Sequence, residues 1–281
     1  MKFTKMHGCG NDYVYINTFK EKVTRPDKLA IVLSDRHFGV GSDGLIFIAP
    51  SKRADFRMIM FNADGSEGEM CGNGIRCIGK YVYDRKLTKK KKVTIETKGG
   101  DVALDLHITG GKVGRVTVDM GIPRPVPKNF HLRADGLSNL LREKVEGREG
   151  LVLSMGNPHC VIPIDEDPYG TFPFERLGPA IERHPDFPSR TNVEFVRTIA
   201  KDHLQQRTWE RGSGETHACG SGACAVAAAY AMTGRTGRRV RIDLRGGTLK
   251  IEVAPDGRVL MTGPATDVFD GEWPTRRAGN R

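Results

Sequence analysis

Two short segments of this sequence place a cysteine directly before a pair of glycines. They read Cys71-Gly72-Asn73-Gly74 and Cys219-Gly220-Ser221-Gly222, and each opens an apolar stretch with helical spacing. A helix N-terminus favours a thiolate and attracts anions, and the glycines leave its backbone N–H groups open to a ligand. One thiolate and one thiol on opposite faces of an α-carbon could remove a proton and return another. The two segments therefore predict stereochemical inversion of an amino acid by Cys71 and Cys219.

The cysteine segments belong to a longer internal repeat. Similar residues recur at an offset of 146 to 148 positions: Cys71 and Cys219, Asn62 and Glu210, residues 44–47 and 192–195, and Asn11 and Asn157. This offset is too long for a solenoid repeat. It predicts a duplicated domain, in which each copy carries one of the two cysteine segments.

Length and composition are those of a globular protein. The chain has 281 residues, of which 38% are hydrophobic, and this suits two domains of typical size. No apolar run has the roughly 20 residues that a membrane helix needs. No apolar segment follows Met1–Lys5, so we expect no signal peptide, a cytoplasmic location and no membrane partner. The six cysteines are then expected to be reduced.

The net charge of +10 comes mainly from basic clusters at 89–92, 238–241 and 276–281. No stacking aromatic residues accompany these clusters, which favours a solvated basic surface over a nucleic-acid interface. The charge could still help to attract an anionic substrate.

Hydrophobic periodicity predicts the α+β class, with each half a strand-rich layer that holds one apolar helix. Helices are expected at 26–36, 73–85, 174–183 and 222–233, and strands at 12–17, 45–49, 56–61, 93–97, 101–108, 113–120, 160–164, 193–197, 205–210, 240–244, 248–253 and 259–262. The Ala-rich helix near the last cysteine segment is apolar nearly all round, so we expect it to be buried inside its sheet.

Domain boundaries are indicated by composition. The proline-rich segment 123–127 is a stiff linker, and the chain after Gly263 marks a second boundary. We expect a first domain of residues 1–119, to which 264–281 return, and a second domain of residues 120–263.

The sequence contains no cofactor-binding motif in the structural context that such a motif needs. Residues 39–44 match G-x-G-x-x-G literally, but a helix precedes them and a strand follows, the reverse of a dinucleotide site. A thiol-ligated metal protein or a nucleic-acid-binding protein is an alternative of another class, and a metal site would need clustered cysteines. We therefore expect no cofactor and no metal.

The sequence resembles the diaminopimelate epimerase family over nearly its whole length. The resemblance rests on MHGCGND at 6–12, DRH at 35–37, GSDG at 41–44, FNADGS at 61–66, MCGNGIRC at 70–77, MGNPH at 155–159, RTNVEF at 190–195 and WERGSGET at 209–216. It implies two similar domains, each a β-barrel-like sheet wrapped round a central α-helix, with the active site in the interdomain cleft. It also implies interconversion of LL-2,6-diaminopimelate and meso-diaminopimelate, in lysine and peptidoglycan precursor biosynthesis, without pyridoxal phosphate.

The resemblance also implies roles for individual residues. Cys71 and Cys219 match the catalytic thiols, and His159 and Glu210 match residues that tune the thiol pKa values. The implied substrate ligands are Asn11, Asn62, Gly72, Asn73, Asn157, Asn192, Glu210, Arg211, Gly220 and Ser221. Gly44 departs from the family pattern, because some members carry a glutamine there.

The resemblance further implies a homodimer, with the segment 268–271 in the contact surface. A proline or hydroxyproline racemase of the same fold is the alternative enzyme, since it too uses two thiols. Arg211 and the set of asparagines favour a longer substrate with a distal carboxylate and ammonium group.

Overall fold

The computed structural model of the chain describes residues 1–124 and 141–274, the first four of the latter by their backbone only. Positions 125–127 of the proline-rich segment and the basic cluster at 276–281 therefore lie outside the described residues. Among the helices of the described part, none is long and apolar enough to cross a membrane.

The chain folds into two compact units. The first consists of Met1–Val118 together with the chain from Pro264 onward, and the second is Asp119–Gly263. The sequence places these junctions at 119/120 and 263/264.

The first unit opens with strands and helices in alternation. Its strands are β1 (Lys2–Gly8), β2 (Asn11–Asn17), β3 (Gly44–Ala49), β4 (Phe56–Asn62), β5 (Glu67–Gly68), β6 (Lys92–Thr97), β7 (Gly100–Thr109) and β8 (Lys112–Asp119). Its helices are α1 (Pro26–Ser34), between β2 and β3, and α2 (Gly72–Asp84), between β5 and β6.

The second unit repeats this order of elements. Its strands are β9 (Leu141–Val145), β10 (Arg148–Ser154), β11 (Pro158–Ile164), β12 (Asn192–Ala200), β13 (His203–Glu210), β14 (Gly214–Glu215), β15 (Arg239–Leu244), β16 (Gly247–Val253) and β17 (Val259–Pro264). Its helices are α3 (Phe174–Glu182), between β11 and β12, and α4 (Gly220–Met232), between β14 and β15. The chain then returns to the first unit as β18 (Thr266–Glu272), which pairs with β1.

Strand pairing confirms the duplication. The first unit pairs its strands in the order β18-β1-β2-β3-β4-β6-β7-β8, and the second in the order β9-β10-β11-β12-β13-β15-β16-β17. The pairs β2–β3 and β4–β6 of the first unit are parallel, as are the equivalent pairs β11–β12 and β13–β15 of the second unit. The other pairs in these two orders are antiparallel. Tyr13 pairs with Gly44 in β2–β3, and His159 pairs with Asn192 in β11–β12. The offset of the sequence repeat is therefore also the offset of the fold.

The helices α2 and α4 occupy equivalent places inside the two sheets. Strands from different parts of each sheet contact the helix: β1, β2 and β7 contact α2, and β10, β11, β12, β15 and β16 contact α4. Residues Ala223–Tyr230 of α4 are all buried, as its composition predicts. A Cβ at Gly79 of α2 would lie 2.8 Å from the Leu106 side chain, so the sheet packs closely on the helix. The predicted α+β class with two similar domains is confirmed.

Candidate active site

Cys71 caps the N-terminus of α2. Its backbone is extended, with φ −126° and ψ 117°, and its sulfur accepts from the Gly74 N–H at 3.4 Å. The Cys71 thiol donates to Asn11 Oδ1 at 3.3 Å, and the same oxygen accepts from Asn73 Nδ2, also at 3.3 Å. The structure thus brings three predicted site residues together at one helix N-terminus, where the helix dipole favours an anion.

An acidic residue that the sequence analysis missed fixes the orientation of Asn11. Asn11 Nδ2 donates to Asp43 Oδ2 at 2.7 Å, which directs the amide oxygen of Asn11 towards Cys71. Arg36 in turn pairs with both Asp43 and Asp12. The Asp43 carboxylate therefore acts on the Cys71 thiol through Asn11.

Tyr13 is a second residue that sequence reasoning missed. Burial, the Cys71 charge and a hydrogen bond with Cys71 raise the pKa of Tyr13 well above its ordinary value. The phenol therefore stays protonated next to the Cys71 sulfur. The repeat contained a signal for it, because Tyr13 stands 146 positions before His159. We call Cys71, Asn11, Tyr13 and Asn73 the first half-site.

Asn62 and Gly44 face each other across β3–β4. Asn62 is exposed and donates from Nδ2 to Ser66 Oγ at 2.9 Å, so its contact with a ligand stays a prediction. A Cβ at Gly44 would lie 2.3 Å from the Phe61 carbonyl oxygen and 3.0 Å from the Tyr13 ring. A side chain at position 44 would therefore clash with the neighbouring strand in this structure.

Cys219 caps the N-terminus of α4 in the same way. Its sulfur accepts from the Gly222 N–H at 3.4 Å and lies 3.5 Å from Ser221 Oγ. Asn157 Nδ2 donates to Ser221 Oγ at 3.5 Å. Because Cys219 is the cap, α4 begins at Gly220, two residues earlier than predicted.

A buried pair lies beside this helix end. His159 Nδ1 is 2.8 Å from Glu194 Oε1, and His159 Nε2 is 3.0 Å from Asn157 Oδ1. Neither His159 nor Glu194 has any exposed surface. The resemblance implies a role for His159, whereas sequence reasoning assigned none to Glu194. We call Cys219, Ser221, Asn157, His159, Glu194 and Glu210 the second half-site.

The Cys219 thiol does not behave as the sequence predicts. A helix N-terminus should lower a thiol pKa, but burial, together with the charges of Glu210 and Glu194, raises the pKa of Cys219 well above its ordinary value. That prediction is therefore wrong for Cys219, because burial and two carboxylates outweigh the helix end. Burial also raises the pKa of Glu210, against the hydrogen bond that Thr216 Oγ1 donates at 2.6 Å.

Asn192 and Arg211 are joined to each other. Asn192 Oδ1 accepts from the Arg211 backbone N–H at 3.0 Å, and Asn192 Nδ2 donates to the Pro158 carbonyl at 2.8 Å. The Arg211 guanidinium is exposed and donates to the Ser189 carbonyl at 3.3 Å. In this structure Asn192 holds the backbone that carries Arg211, and direct ligation by Asn192 stays a prediction.

The other four cysteines, Cys9, Cys77, Cys160 and Cys224, are buried. Burial raises the pKa of Cys77 to about 11, and it raises the pKa of Cys9 and Cys160 as well. None of the six cysteines is joined in a disulfide. Within residues 1–124 and 141–274, no three His, Cys, Asp or Glu side chains are grouped as metal ligands.

Solved structures with the same fold define the class of this protein. A phenazine biosynthesis protein of the PhzF family from Bacillus anthracis is similar with a TM-score of 0.68 and 17% identity, over 98% of this chain and 99% of its own. A probable proline racemase from Agrobacterium radiobacter K84 is similar with a TM-score of 0.69 and 14% identity, over 97% of this chain and 92% of its own. The chain therefore has the two-domain fold of these proteins.

Sequence comparison identifies the family within that class. The family profile described as diaminopimelate epimerase matches residues 3–126 and 151–268. Proteins named diaminopimelate epimerase are 54% identical in Leptospira biflexa, 50% in Agathobacter rectalis and 48% in Methanococcus maripaludis. Each match covers 97% of this chain and at least 98% of the relative. The chain belongs to the diaminopimelate epimerase family, a family of isomerases.

Proposed function

We propose that this protein interconverts LL-2,6-diaminopimelate and meso-diaminopimelate by proton transfer between two thiols and the α-carbon. The observation that carries the proposal is the capping of two equivalent helices by Cys71 and Cys219 in a chain of this family. Each thiol lies next to backbone N–H groups that suit a carboxylate, as an α-carbon acid requires.

The first step is recognition of the reacting end of the substrate. Its α-carboxylate accepts hydrogen bonds at the N-termini of α2 and α4, from Gly72-Asn73 and Gly220-Ser221. Donors in fixed positions then stabilise the negative charge that spreads onto the carboxylate when the α-proton leaves. Glu210 accepts from the α-ammonium group, which supplies the positive partner for this half-buried carboxylate.

Proton transfer then follows on two faces of the α-carbon. A thiolate takes the α-proton, so that an S–H bond forms as the C–H bond breaks. The other thiol gives its proton to the opposite face, and its sulfur becomes the thiolate. The product differs only in configuration, and the protonation states of the two cysteines are exchanged. The reverse direction uses the same groups in exchanged roles.

The distal end of the substrate selects diaminopimelate over shorter amino acids. Arg211 is the partner for the distal carboxylate, because an exposed guanidinium can form two parallel hydrogen bonds with it. Asn62, Asn157 and Asn192 offer neutral donors and acceptors to the distal zwitterion. Proline has no distal carboxylate, so the alternative racemase activity would not use Arg211.

The test is incubation of the purified protein with LL-diaminopimelate in D₂O. We expect the meso product to carry deuterium at the inverted carbon, and the same turnover after treatment with EDTA and hydroxylamine. L-proline is the control substrate and should stay unlabelled. Labelling of proline alone would overturn the proposal in favour of a racemase. Activity that is lost on treatment and returns with pyridoxal phosphate or a metal would overturn the two-thiol mechanism.

We further propose a cytoplasmic homodimer that binds neither nucleic acid nor membranes. Val268 and Phe269 on β18 are 52% and 47% exposed, which supports a protein contact there. Basic residues of two surface clusters are paired with acids, as in Lys90–Asp55 and Arg239–Glu252, which supports a solvated surface.

A further inference from the structure

We propose that the buried carboxylate of Glu194 keeps Cys219 in its protonated thiol form by its negative charge. The inference rests on the proposed function, because a two-thiol epimerase needs one protonated and one ionised sulfur. Glu194 stands in the RTNVEF motif at 190–195, but the mechanism above gives it no role.

The duplication shows where the two half-sites differ. A Cβ at Gly74 would lie 2.6 Å from Ile46 Cδ1 and 3.4 Å from Met58 Cε. A Cβ at the equivalent Gly222 would lie 2.6 Å from Glu194 Oε1 and 3.2 Å from Gln206 Nε2. Ile46 and Glu194 are 148 positions apart, as are Met58 and Gln206.

The apolar side chains of Ile46 and Met58 pack against the first turn of α2. At the equivalent positions beside α4 stand a carboxylate, Glu194, and an amide, Gln206. All four side chains are buried or nearly so. Glu194 Oε2 and Gln206 Oε1 have no hydrogen-bond partner among the described residues. Burying such groups costs free energy, which a merely structural position would avoid by keeping the apolar pair of the first half.

Two other pairs of equivalent positions also differ in charge between the two units. Asn62 of the first unit corresponds to Glu210 of the second, and Arg76 corresponds to Cys224. The buried Arg76 guanidinium donates to the Gly72 carbonyl at 3.2 Å, in the first turn of α2. The first half-site therefore lies near the Arg76 guanidinium, and its neighbouring carboxylate, Asp43, is paired with Arg36. The second half-site lies near two carboxylates, Glu194 and Glu210. Since like charges disfavour ionisation, these two carboxylates favour the thiol form of Cys219.

His159 holds Glu194 in place. His159 Nδ1 lies 2.8 Å from Glu194 Oε1, and His159 Nε2 lies 3.0 Å from Asn157 Oδ1. The Glu194 carboxylate is thereby fixed beside the first turn of α4, where a Cβ at Gly222 would lie 2.6 Å from Glu194 Oε1 and 3.2 Å from the Cys219 sulfur. This position brings its charge close to Cys219.

The titratable groups near Cys219 come from neighbouring strands. They are His159 on β11, Glu194 on β12 and Glu210 on β13. Every described charged residue on β10, β15 and β16, which also contact α4, is exposed or partly exposed. Glu194 is therefore the buried charge that can be removed without touching a predicted substrate ligand.

The test compares Glu194→Gln with the wild type and with Glu182→Gln. Glutamine keeps the size of Glu194 and can still accept from His159 Nδ1, but it carries no charge. Glu182 is another buried carboxylate of the second unit, bonded to Trp209 and Gly212. Iodoacetamide alkylation of Cys219 is followed against pH without substrate, with peptide mass spectrometry to assign the labelled sulfur.

We expect Glu194→Gln to lower the pH midpoint of Cys219 alkylation by about one unit or more. Glu182→Gln should leave the midpoint unchanged, and Cys71 alkylation should keep its profile in both variants. An unchanged Cys219 midpoint in folded Glu194→Gln protein would overturn the proposal. Alkylation is measured without substrate, so its outcome does not depend on whether the protein turns over LL-diaminopimelate. A shifted Cys219 midpoint with no epimerase activity in the wild type would overturn the proposed function alone.

With substrate, we expect kcat of Glu194→Gln to fall at least about tenfold with little change in KM, because Glu194 acts on the thiol and not on the ligand.

Discussion

Asn11 Nδ2 donates to Asp43 Oδ2 at 2.7 Å, and this bond leaves Asn11 Oδ1 facing the Cys71 sulfur. A free asparagine amide could turn either its oxygen or its nitrogen to the thiol, and only the oxygen can accept from it. Asp43 is thus the residue that selects the orientation. Hydrogen bonds to a charged group contribute about 1.5–3 kcal/mol, so the selection is strong.

We therefore predict that Asp43→Ala lowers kcat/KM by roughly 10- to 100-fold, since about 1.4 kcal/mol corresponds to a factor of ten. Steady-state kinetics with LL-diaminopimelate measures the change. Asp101→Ala is the control, because it removes an exposed aspartate of the same unit that pairs with Arg53. Equal activities of the two variants would show that Asp43 does not orient Asn11 for catalysis.

Replacing either thiol should stop inversion. A serine hydroxyl near neutral pH is a far weaker base than a thiolate, and general acid–base catalysis contributes about 10²–10⁴-fold. We predict that Cys71→Ser and Cys219→Ser each lose at least that factor in kcat. The double variant should be little slower than either single one, because the thiols act as a unit.

Cys160→Ala is the control for loss of a thiol, since Cys160 is fully buried on β11 and outside both half-sites. It should keep most of the turnover in its folded form. Near-normal turnover of Cys71→Ser or Cys219→Ser would contradict the two-thiol assignment.

Arg211→Ala should weaken substrate binding by losing a charge-assisted pair with the distal carboxylate. We predict a loss of about 2–4 kcal/mol, seen mainly as a higher KM. Arg211→Lys should recover only part of it, because an ammonium cannot form the two parallel bonds of a guanidinium. Arg239→Ala, at an exposed arginine paired with Glu252, is the control. An unchanged KM for Arg211→Ala would remove Arg211 from the substrate site.

The sequence predicted the helices that carry the thiols because local signals and the fold agree there. A cysteine, two glycines and an apolar stretch specify a capped, buried helix without help from distant residues. Strand β1 was missed because its pattern contains Lys5, which is buried against Asp12 and the Gly41 carbonyl. A buried lysine with partners elsewhere in the chain interrupts the apolar pattern by which a strand is predicted.

Strand β18 was missed for the opposite reason. Its residues are exposed or nearly so along its length, and its conformation comes from pairing with β1. Glu194 was passed over because it stands between Val193 and Phe195 in a buried strand. Its equivalent in the first half is Ile46, and this break in the repeat was the available signal.

The homodimer prediction concerns β18. Phe269 is 47% exposed and packs its ring edge-on against Phe3, with ring centroids 6.0 Å apart. We predict a mass of twice 31.0 kDa by light scattering at micromolar concentration, and a shift to monomer in Phe269→Glu. Phe38→Glu is the control, because Phe38 is 89% exposed at another place in the first unit. A fully active monomer at that concentration would contradict the homodimer.

Stability should fall as the pH rises above neutral, because buried thiols resist ionisation. Burial raises the pKa of Cys9, Cys77, Cys160 and Cys219 above that of an unfolded thiol, which is about 8.5. The sign follows from linkage: below about pH 8.5 both states hold these protons, and above it only the unfolded chain releases them. Deprotonation then favours the unfolded chain.

The contribution of these thiols to the free energy of unfolding should therefore be constant up to about pH 8. Above that pH it should decrease by up to about 1.4 kcal/mol per pH unit for each thiol. Urea unfolding under reducing conditions between pH 7.5 and 9.5 measures the slope, in a range below ordinary tyrosine ionisation near pH 10. Cys160→Ala should be less stable at pH 7.5, because it leaves a cavity in the second unit, yet it should show a shallower slope. A slope equal to that of the wild type would mean that Cys160 ionises as readily in the folded protein as in the unfolded chain, which is the opposite of what its burial on β11 requires.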